Sequence, residues 1–171
     1  TYTSMARNKR GNRKSELLMM DLELLGVLTG DYPAEADTRL WRDVILLNQF
    51  HDILPGSSIA EVYEVTKSEY DALAAEVTEL IAERLHRIAG EGAGLTVVNT
   101  LGFDRDDVVE LGDVAATALA DENGTLYPVQ KTETGAVAYL KALPSKGWRT
   151  YRLAQAQQES PFRRVDERHL E

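Results

Sequence analysis

The sequence contains no cysteine. This absence excludes disulfide bonds, thiolate zinc sites and catalysis by a cysteine nucleophile. It is compatible with a reducing compartment, and we expect a cytoplasmic protein. No apolar run approaches the roughly 20 residues that a membrane-spanning helix needs, and the first residues lack the pattern of a signal peptide. We therefore expect no membrane partner.

Positive charge is scarce as well. The chain has 19 Lys and Arg residues against 28 Asp and Glu residues, which gives a net charge of −9. An acidic chain is disfavoured on nucleic acid and on anionic membranes, so we expect no nucleic-acid partner. The basic residues from Arg7 to Lys14 are the exception. They predict a lead-in arm, residues 1–14, that faces solvent or a protein partner.

The totals otherwise fit a folded protein. A chain of 171 residues with 43% hydrophobic residues can form one domain or two small ones. It begins at Thr1 without an initiator Met, and its last residues, Leu170-Glu171, resemble those left by an expression tag. We therefore expect a piece of a longer protein.

Hydrophobic periodicity predicts three antiparallel helices in residues 15–90. The first helix covers residues 15–28 and ends near Gly30. The second is capped by Asp37 or Thr38 and runs to Leu54. It is apolar nearly all round, which predicts burial on every side.

The third helix is predicted to open at Ser58, where Glu61 three residues later completes a capping box. Its apolar stripe keeps close to a heptad and predicts packing along the other two helices. The stripe comprises Tyr63, Thr66, Tyr70, Leu73, Val77, Leu80, Ile81, Leu85 and Ile88. His86 falls off this stripe and is predicted to lie at the surface.

The period changes after a glycine-rich hinge, residues 91–94. Five short β-rich runs, 95–99, 108–111, 126–132, 136–143 and 148–153, lie in residues 95–153, with turns at 121–124 and 144–147. They predict an antiparallel β-sheet that is part of a β-sandwich. The fold class is therefore α+β, and residues 154–171 are predicted to form a polar tail.

The most informative stretch is Asn48 to Ser58. Pro55 and Gly56 break the second helix there, which places His51 and Asp52 at the corner of a sharp turn. Such a pair suits a metal or a polar ligand, although one His cannot complete a zinc site. The alternative is a buried His that is hydrogen-bonded to backbone, with Asp52 as a cap.

Helical spacing adds a prediction about the faces of the second helix. Counted in whole turns, His51 shares the face of Leu40 and Val44, and Asp52 shares the face of Trp41. Two polar groups at the end of a buried helix need partners, because unpaired burial is costly. If this end is exposed, those partners belong to a domain outside the sequence.

The run from Trp41 to Ser58, with Gln-Phe-His-Asp-Ile-Leu-Pro-Gly-Ser at its centre, resembles the middle region of class II α-mannosidases, glycoside hydrolase family 38. The segments 1–16, 97–109 and 144–153 resemble other parts of that family in the same order. The motif is most similar to the bacterial and cytosolic-type members. The resemblance covers nearly the whole chain up to Leu153.

The resemblance implies a retaining exo-α-mannosidase that holds zinc, or in some members cobalt. It implies that His51 is a metal ligand and that Asp52 binds hydroxyls of the mannose being cleaved. The nucleophile and the general acid/base would lie in a preceding α/β domain, which is absent here. We expect this chain to be inactive alone and its partial metal site to be empty. The implied partners are an α-mannoside or mannose-containing oligosaccharide and that catalytic domain.

Two other functions remain open at this stage. A His-Asp-type metal phosphohydrolase also uses an adjacent His-Asp pair, but that class needs an upstream His and none precedes His51. The second alternative is a non-enzymatic helix-plus-sheet interaction module. Loss of the His51 imidazole should matter to an enzyme and hardly to such a module.

Overall fold

The computed structural model describes residues 4–32 and 34–156. The chain divides after Gly90 into two compact units. The first is helical and the second is a β-sheet, so the predicted α+β fold class is confirmed. No helix in the described part of the chain has the length and apolar content needed to cross a membrane.

The first helix, α1, spans Ala6–Thr29 and ends at Gly30, whose φ of +80° is the left-handed angle that glycine adopts readily. It begins nine residues before the predicted start at residue 15, so most of the predicted arm is helical. Asn8 and Asn12 are buried in this added part, on a face that continues with the buried Ser15. Because the buried face is polar there, hydrophobic periodicity could not reveal it.

The second helix begins with α2, Glu35–Leu40, continues as a π-helix over Trp41–Leu46 and ends at Asn48. The prediction that it runs to Leu54 is wrong, because residues 49–56 form turns. The predicted cap at Asp37 or Thr38 is also wrong, because Ala34 precedes the first helical residue. His51 and Asp52 are therefore not helical, and the predicted alignment of their faces does not apply.

The prediction that this second helix is buried on every side is wrong as well. Leu46, Leu47 and Phe50 are 56%, 56% and 51% exposed, whereas Leu40 and Ile45 are fully buried. A π-helix adds residues to each turn, so positions after it rotate away from the α-helical pattern. The apolar residues from the end of the π-helix onward, Leu46, Leu47 and Phe50, thus form an exposed apolar patch.

The third helix, α3, spans Ala60–Ala89 and packs on both other helices. Its buried positions confirm the core of the predicted stripe from Tyr63 to Val77 and add Arg84. The Arg84 guanidinium donates to both carboxylate oxygens of Asp37, over 2.9 and 3.2 Å, and to the Leu22 carbonyl oxygen over 2.6 Å. This buried ion pair connects all three helices. The rest of the core consists of Met19, Leu22, Leu40, Ile45, Leu73 and Val77.

The β unit contains one six-stranded, fully antiparallel sheet in the order β1-β6-β3-β4-β5-β2. Its strands are β1 Gly94–Asn99, β2 Arg105–Gly112, β3 Ala118–Ala120, β4 Leu126–Thr132, β5 Gly135–Leu143 and β6 Gly147–Ala154. Five of the six agree with the predicted β-rich runs. The short β3 was not predicted, because three residues carry too little alternation to recognise. Residues 157–171 of the predicted tail lie outside the described residues.

The sheet curls, since the end of β1 reaches the end of a strand that is not its neighbour. The Asn99 side-chain amide donates to the carbonyl oxygens of Leu143 and Pro144 over 3.3 and 3.1 Å. Tyr151 lies fully buried in the curve and meets Tyr127 edge to face at 5.6 Å between ring centroids. The remaining buried core residues are Leu119, Val129, Ala136, Ala138, Leu140 and Leu143.

Candidate functional site

The segment from Gln49 to Ser58 joins the second helix to α3, and we call it the His51 turn. A non-helical corner joins the two helices as predicted, but the second helix ends at Asn48 and is not broken by Pro55 and Gly56. Gly56 has a φ of +98°, and a Cβ built there would lie 2.9 Å from both the Cβ and the carbonyl oxygen of Ser4. Both the backbone angle and the space therefore require glycine.

Side chains from the start of α1 hold the backbone of this turn. The Asn8 side-chain amide donates to the Ile53 carbonyl oxygen over 3.1 Å. The Lys9 ammonium donates to the Pro55 carbonyl oxygen over 3.0 Å and to the Ser4 carbonyl oxygen over 2.7 Å. The turn is therefore tied to residues more than forty positions earlier in the chain.

The other side of the turn is held by α3. The Ser58 amide donates to the Tyr63 hydroxyl over 2.9 Å, and the Ser58 hydroxyl donates to the Asp52 carbonyl oxygen over 2.8 Å. The predicted capping box at Ser58 is wrong, because Ile59 precedes the first residue of α3 and no side chain caps it. The Ser58 hydroxyl is engaged within the turn instead of capping the helix.

A polar network lies under the first residue of the turn. The Gln49 amide donates to Glu16 Oε1 over 2.9 Å and to Asn12 Oδ1 over 3.2 Å. The buried Tyr70 hydroxyl donates to the same Asn12 oxygen over 3.4 Å. Burial, together with the charges of Glu16 and Glu69, raises the pKa of Tyr70 to about 12. Tyr70 therefore keeps its donor proton in this network to a higher pH than an exposed tyrosine would.

His51 and Asp52 project from this anchored backbone into solvent, with 77% and 58% of their side chains exposed. His51 Nε2 lies 3.5 Å from Asp52 Oδ2, and the His51 ring lies against Phe50 with centroids 4.1 Å apart. The alternative of a buried histidine bonded to backbone is wrong. The structure thus brings together the two residues that the sequence singled out.

The donors at this site fit part of a metal site. An imidazole and a neighbouring carboxylate are both ligands of zinc, but such a site needs about three or four protein ligands. Within the described ranges 4–32 and 34–156, no group of three or more His, Cys, Asp or Glu side chains could hold a metal ion.

Sequence reasoning missed the side chains that hold the turn, Asn8, Lys9 and Tyr63. The first two were assigned to a solvated arm, and the tyrosine was assigned to the core. A short basic and amide-rich stretch carries no local sign that its partners are backbone carbonyls of a distant turn. Pro55 and Gly56 indicate a turn at that corner but do not indicate which residues hold it.

Comparison with known proteins bears on the same residues. A family model described as "Alpha mannosidase middle domain" matches residues 1–88. Human "Alpha-mannosidase 2C1" is 38% identical over 120 residues, which cover 65% of this chain and 11% of that protein. The "Alpha-mannosidase" of Saccharomyces cerevisiae is 33% identical over 123 residues, covering 64% of this chain and 11% of that protein. The chain thus spans about a tenth of the length of the curated relatives it matches.

Solved structures show the same fold. A protein in the glycosyl hydrolase family 38 from Enterococcus faecalis matches with a TM-score of 0.67 and 14% sequence identity, over 93% of this chain and 26% of that one. An alpha-mannosidase from Enterococcus faecalis V583 matches with a TM-score of 0.68 and 14% identity, over 92% and 25%. At this identity the likeness concerns the fold alone.

Proposed function

The chain belongs to the alpha-mannosidase middle-domain family, and from this premise we propose that it is a segment of a longer, metal-dependent α-mannosidase. In this proposal the intact protein is a retaining exo-glycosidase that hydrolyses α-mannosides. Its nucleophile and its general acid/base come from a catalytic domain of the same polypeptide. The segment contributes His51 and Asp52 to the active site and has no glycosidase activity by itself.

One observation carries the proposal. His51 and Asp52 are exposed side chains on a backbone that is hydrogen-bonded from both sides, and they lie within the residues matched by the family model. An exposed pair that meets at such a distance adds little to the stability of the fold. The anchoring of the backbone that carries the pair therefore calls for another explanation. Binding to a ligand outside the segment supplies that explanation.

The two side chains would then have different roles. His51 would provide one imidazole ligand to zinc or cobalt, and Asp52 would accept hydrogen bonds from hydroxyls of the mannose. A bound divalent ion would orient the sugar hydroxyls and stabilise developing charge. The contact of 3.5 Å between the two side chains is too long to hold either of them away from such partners.

The exposed apolar patch supports a domain contact beside this pair. Leu46, Leu47 and Phe50 directly precede His51 and Asp52, and all three are exposed in the described structure. A contiguous exposed apolar surface marks an interface more often than a free surface. We assign this patch to contact with the catalytic domain, which would place the metal's remaining ligands next to His51.

The test uses the longer polypeptide that contains this chain. Release from an aryl α-mannoside is measured with zinc or cobalt for the native protein, for His51→Ala and for His86→Ala. His86 is an exposed histidine on α3 and serves as the matched control. We expect His51→Ala to abolish most activity and to lower metal content, and His86→Ala to change neither.

Two results would contradict the proposal in different ways. Activity that survives His51→Ala would remove the assigned site while leaving the family membership intact. A folded, metal-loaded long form without any α-mannosidase activity would favour the interaction module, for which the apolar patch would be the binding surface.

A further inference from the structure

The His51 turn combines an anchored backbone with free side chains. Its backbone carbonyls and amides are bonded by side chains from α1 and α3, whereas the His51 and Asp52 side chains are mostly exposed and contact only near neighbours in the described sequence, Phe50, Ser57 and each other. A binding group must be held close to its productive geometry by a supporting shell of other residues. In the His51 turn these supporting residues are Asn8, Lys9 and Tyr63.

Lys9 is the most unusual of them. Its ammonium is directed at two backbone carbonyls, those of Ser4 and Pro55. Among the residues that the structure describes, no carboxylate forms an ion pair with it. A hydrogen bond from a charged donor is roughly twice as strong as a neutral one, so these bonds fix the turn more firmly than an amide would.

Asn8 and Tyr63 complete the support on either side. Asn8 is buried and donates to Ile53, and Tyr63 is buried and accepts from the Ser58 amide. The Tyr63 hydroxyl also lies 3.4 Å from the carbonyl oxygens of Asp52 and Ile53. Together they contact the turn just after His51 and Asp52.

We propose that Lys9 is a positioning residue that, together with Asn8 and Tyr63, fixes the backbone of the His51 turn so that His51 and Asp52 are presented in one geometry. The binding roles of His51 and Asp52 rest on the proposed function. The positioning itself concerns this chain alone and is tested separately. Lys9 touches neither substrate nor metal in this scheme.

The first test measures amide hydrogen exchange by NMR in the 171-residue chain. Lys9→Met removes the donor and keeps the length of the side chain, and Lys14→Met makes the same change at an exposed lysine of α1. We expect Lys9→Met to accelerate exchange of the Leu54 and Gly56 amides about tenfold. Amides in the middle of α3 should stay unchanged, and Lys14→Met should resemble the native chain.

A second variant keeps the test decisive if Lys9→Met folds poorly. Tyr63→Phe removes only the hydroxyl that accepts from the Ser58 amide, and the ring packing remains. Its exchange should be faster at Ser58 and unchanged in the middle of α3. Equal exchange in the turn for Lys9→Met, Tyr63→Phe and Lys14→Met would overturn the positioning role.

A kinetic readout in the longer protein separates positioning from simple loss of folding. If the turn samples other geometries, the fraction competent to bind falls and the apparent affinity falls with it. Lys9→Met should therefore raise KM while kcat stays near the native value. A lower kcat at unchanged KM would indicate less folded enzyme and overturn the proposal. Inactivity of the native long form would defeat the proposed function and leave the exchange result standing.

Discussion

Two acid–base pairs in the helical unit have opposite surroundings. Asp37 and Arg84 are buried, with 2% and 7% of their side chains exposed, and they form a bidentate ion pair. His51 and Asp52 are mostly exposed and meet at 3.5 Å. The first pair has its hydrogen bonds satisfied inside the protein, whereas the second depends on solvent or an outside partner.

The difference teaches where stability and function reside in this unit. Removing one member of a buried pair leaves an unpaired charge in a medium that cannot solvate it. Removing one member of an exposed pair leaves a charge that water solvates readily. The buried pair should therefore govern stability, and the exposed pair should govern binding. Four predictions test this division.

The largest effect is expected for Asp37→Ala. Among the described residues it leaves the buried Arg84 guanidinium with the Leu22 carbonyl alone as hydrogen-bond partner, and this should cost about 3–5 kcal/mol of unfolding free energy. Urea unfolding followed by circular dichroism measures the loss. Asp43→Ala, at an exposed acid paired with Arg42, is the control and should leave the unfolding midpoint nearly unchanged. Equal stability of the two variants would contradict the role given to the buried pair.

A smaller effect is expected from crowding the same pair. A Cβ at Gly26 would lie 3.2 Å from Arg84 Nη1 and 3.3 Å from its Cζ. Gly26→Ala should therefore cost about 1–2 kcal/mol of unfolding free energy, since overpacking outweighs the gain in helix propensity. Gly92→Ala, where the new Cβ meets nothing within 4 Å, should be close to neutral. A stabilised Gly26→Ala variant would show that the guanidinium has room to move.

A pH-dependent effect is expected beneath the His51 turn. Because the pKa of Tyr70 is raised to about 12 from 10.0, the folded state keeps the proton that the unfolded state loses. The stability linked to this group is fully present below pH 10.0 and is lost as pH rises through about 12. Urea midpoints across this range for the native chain and Tyr70→Phe measure the difference. Parallel pH dependence in both would mean that Tyr70 is not the titrating group.

The smallest effect on stability is expected at the exposed pair. His51→Ala and Asp52→Ala should each change the unfolding free energy by no more than about 0.5 kcal/mol, as exposed substitutions usually do. The same urea experiment measures both in this chain. A loss comparable to that of Asp37→Ala would make His51 or Asp52 a structural residue and would weaken the case for a binding role.

The sequence predicted those elements whose cause is local. The stripe of α3 repeats an apolar residue at each turn, and the corner at Pro55 and Gly56 follows from the backbone limits of those two residues. Along most strands apolar and polar residues alternate, and turns that contain glycine separate the strands. The resemblance to family 38 α-mannosidases is confirmed by the family match and the relatives, although the roles of His51 and Asp52 stay predictions.

What the sequence could not predict depends on distant partners. Asp37 was interpreted as a helix cap because nothing nearby shows that Arg84, 47 positions later, enters the core with it. The start of α1 was missed because its buried face is made of amides and a hydroxyl. Lys9 shows the same limit, since its acceptors belong to a turn that forms only when the helices pack.

The π-helix at Trp41–Leu46 amounts to one extra residue inside a helix. Each residue of an α-helix turns the chain by about 100° and advances it by about 1.5 Å. Shortening this segment by one residue would therefore rotate Leu46 and Leu47 by about that angle relative to Leu40. A one-residue deletion here would therefore re-aim the apolar side chains that precede the His51 turn, while Asn8, Lys9 and Tyr63 still hold the backbone of the turn itself.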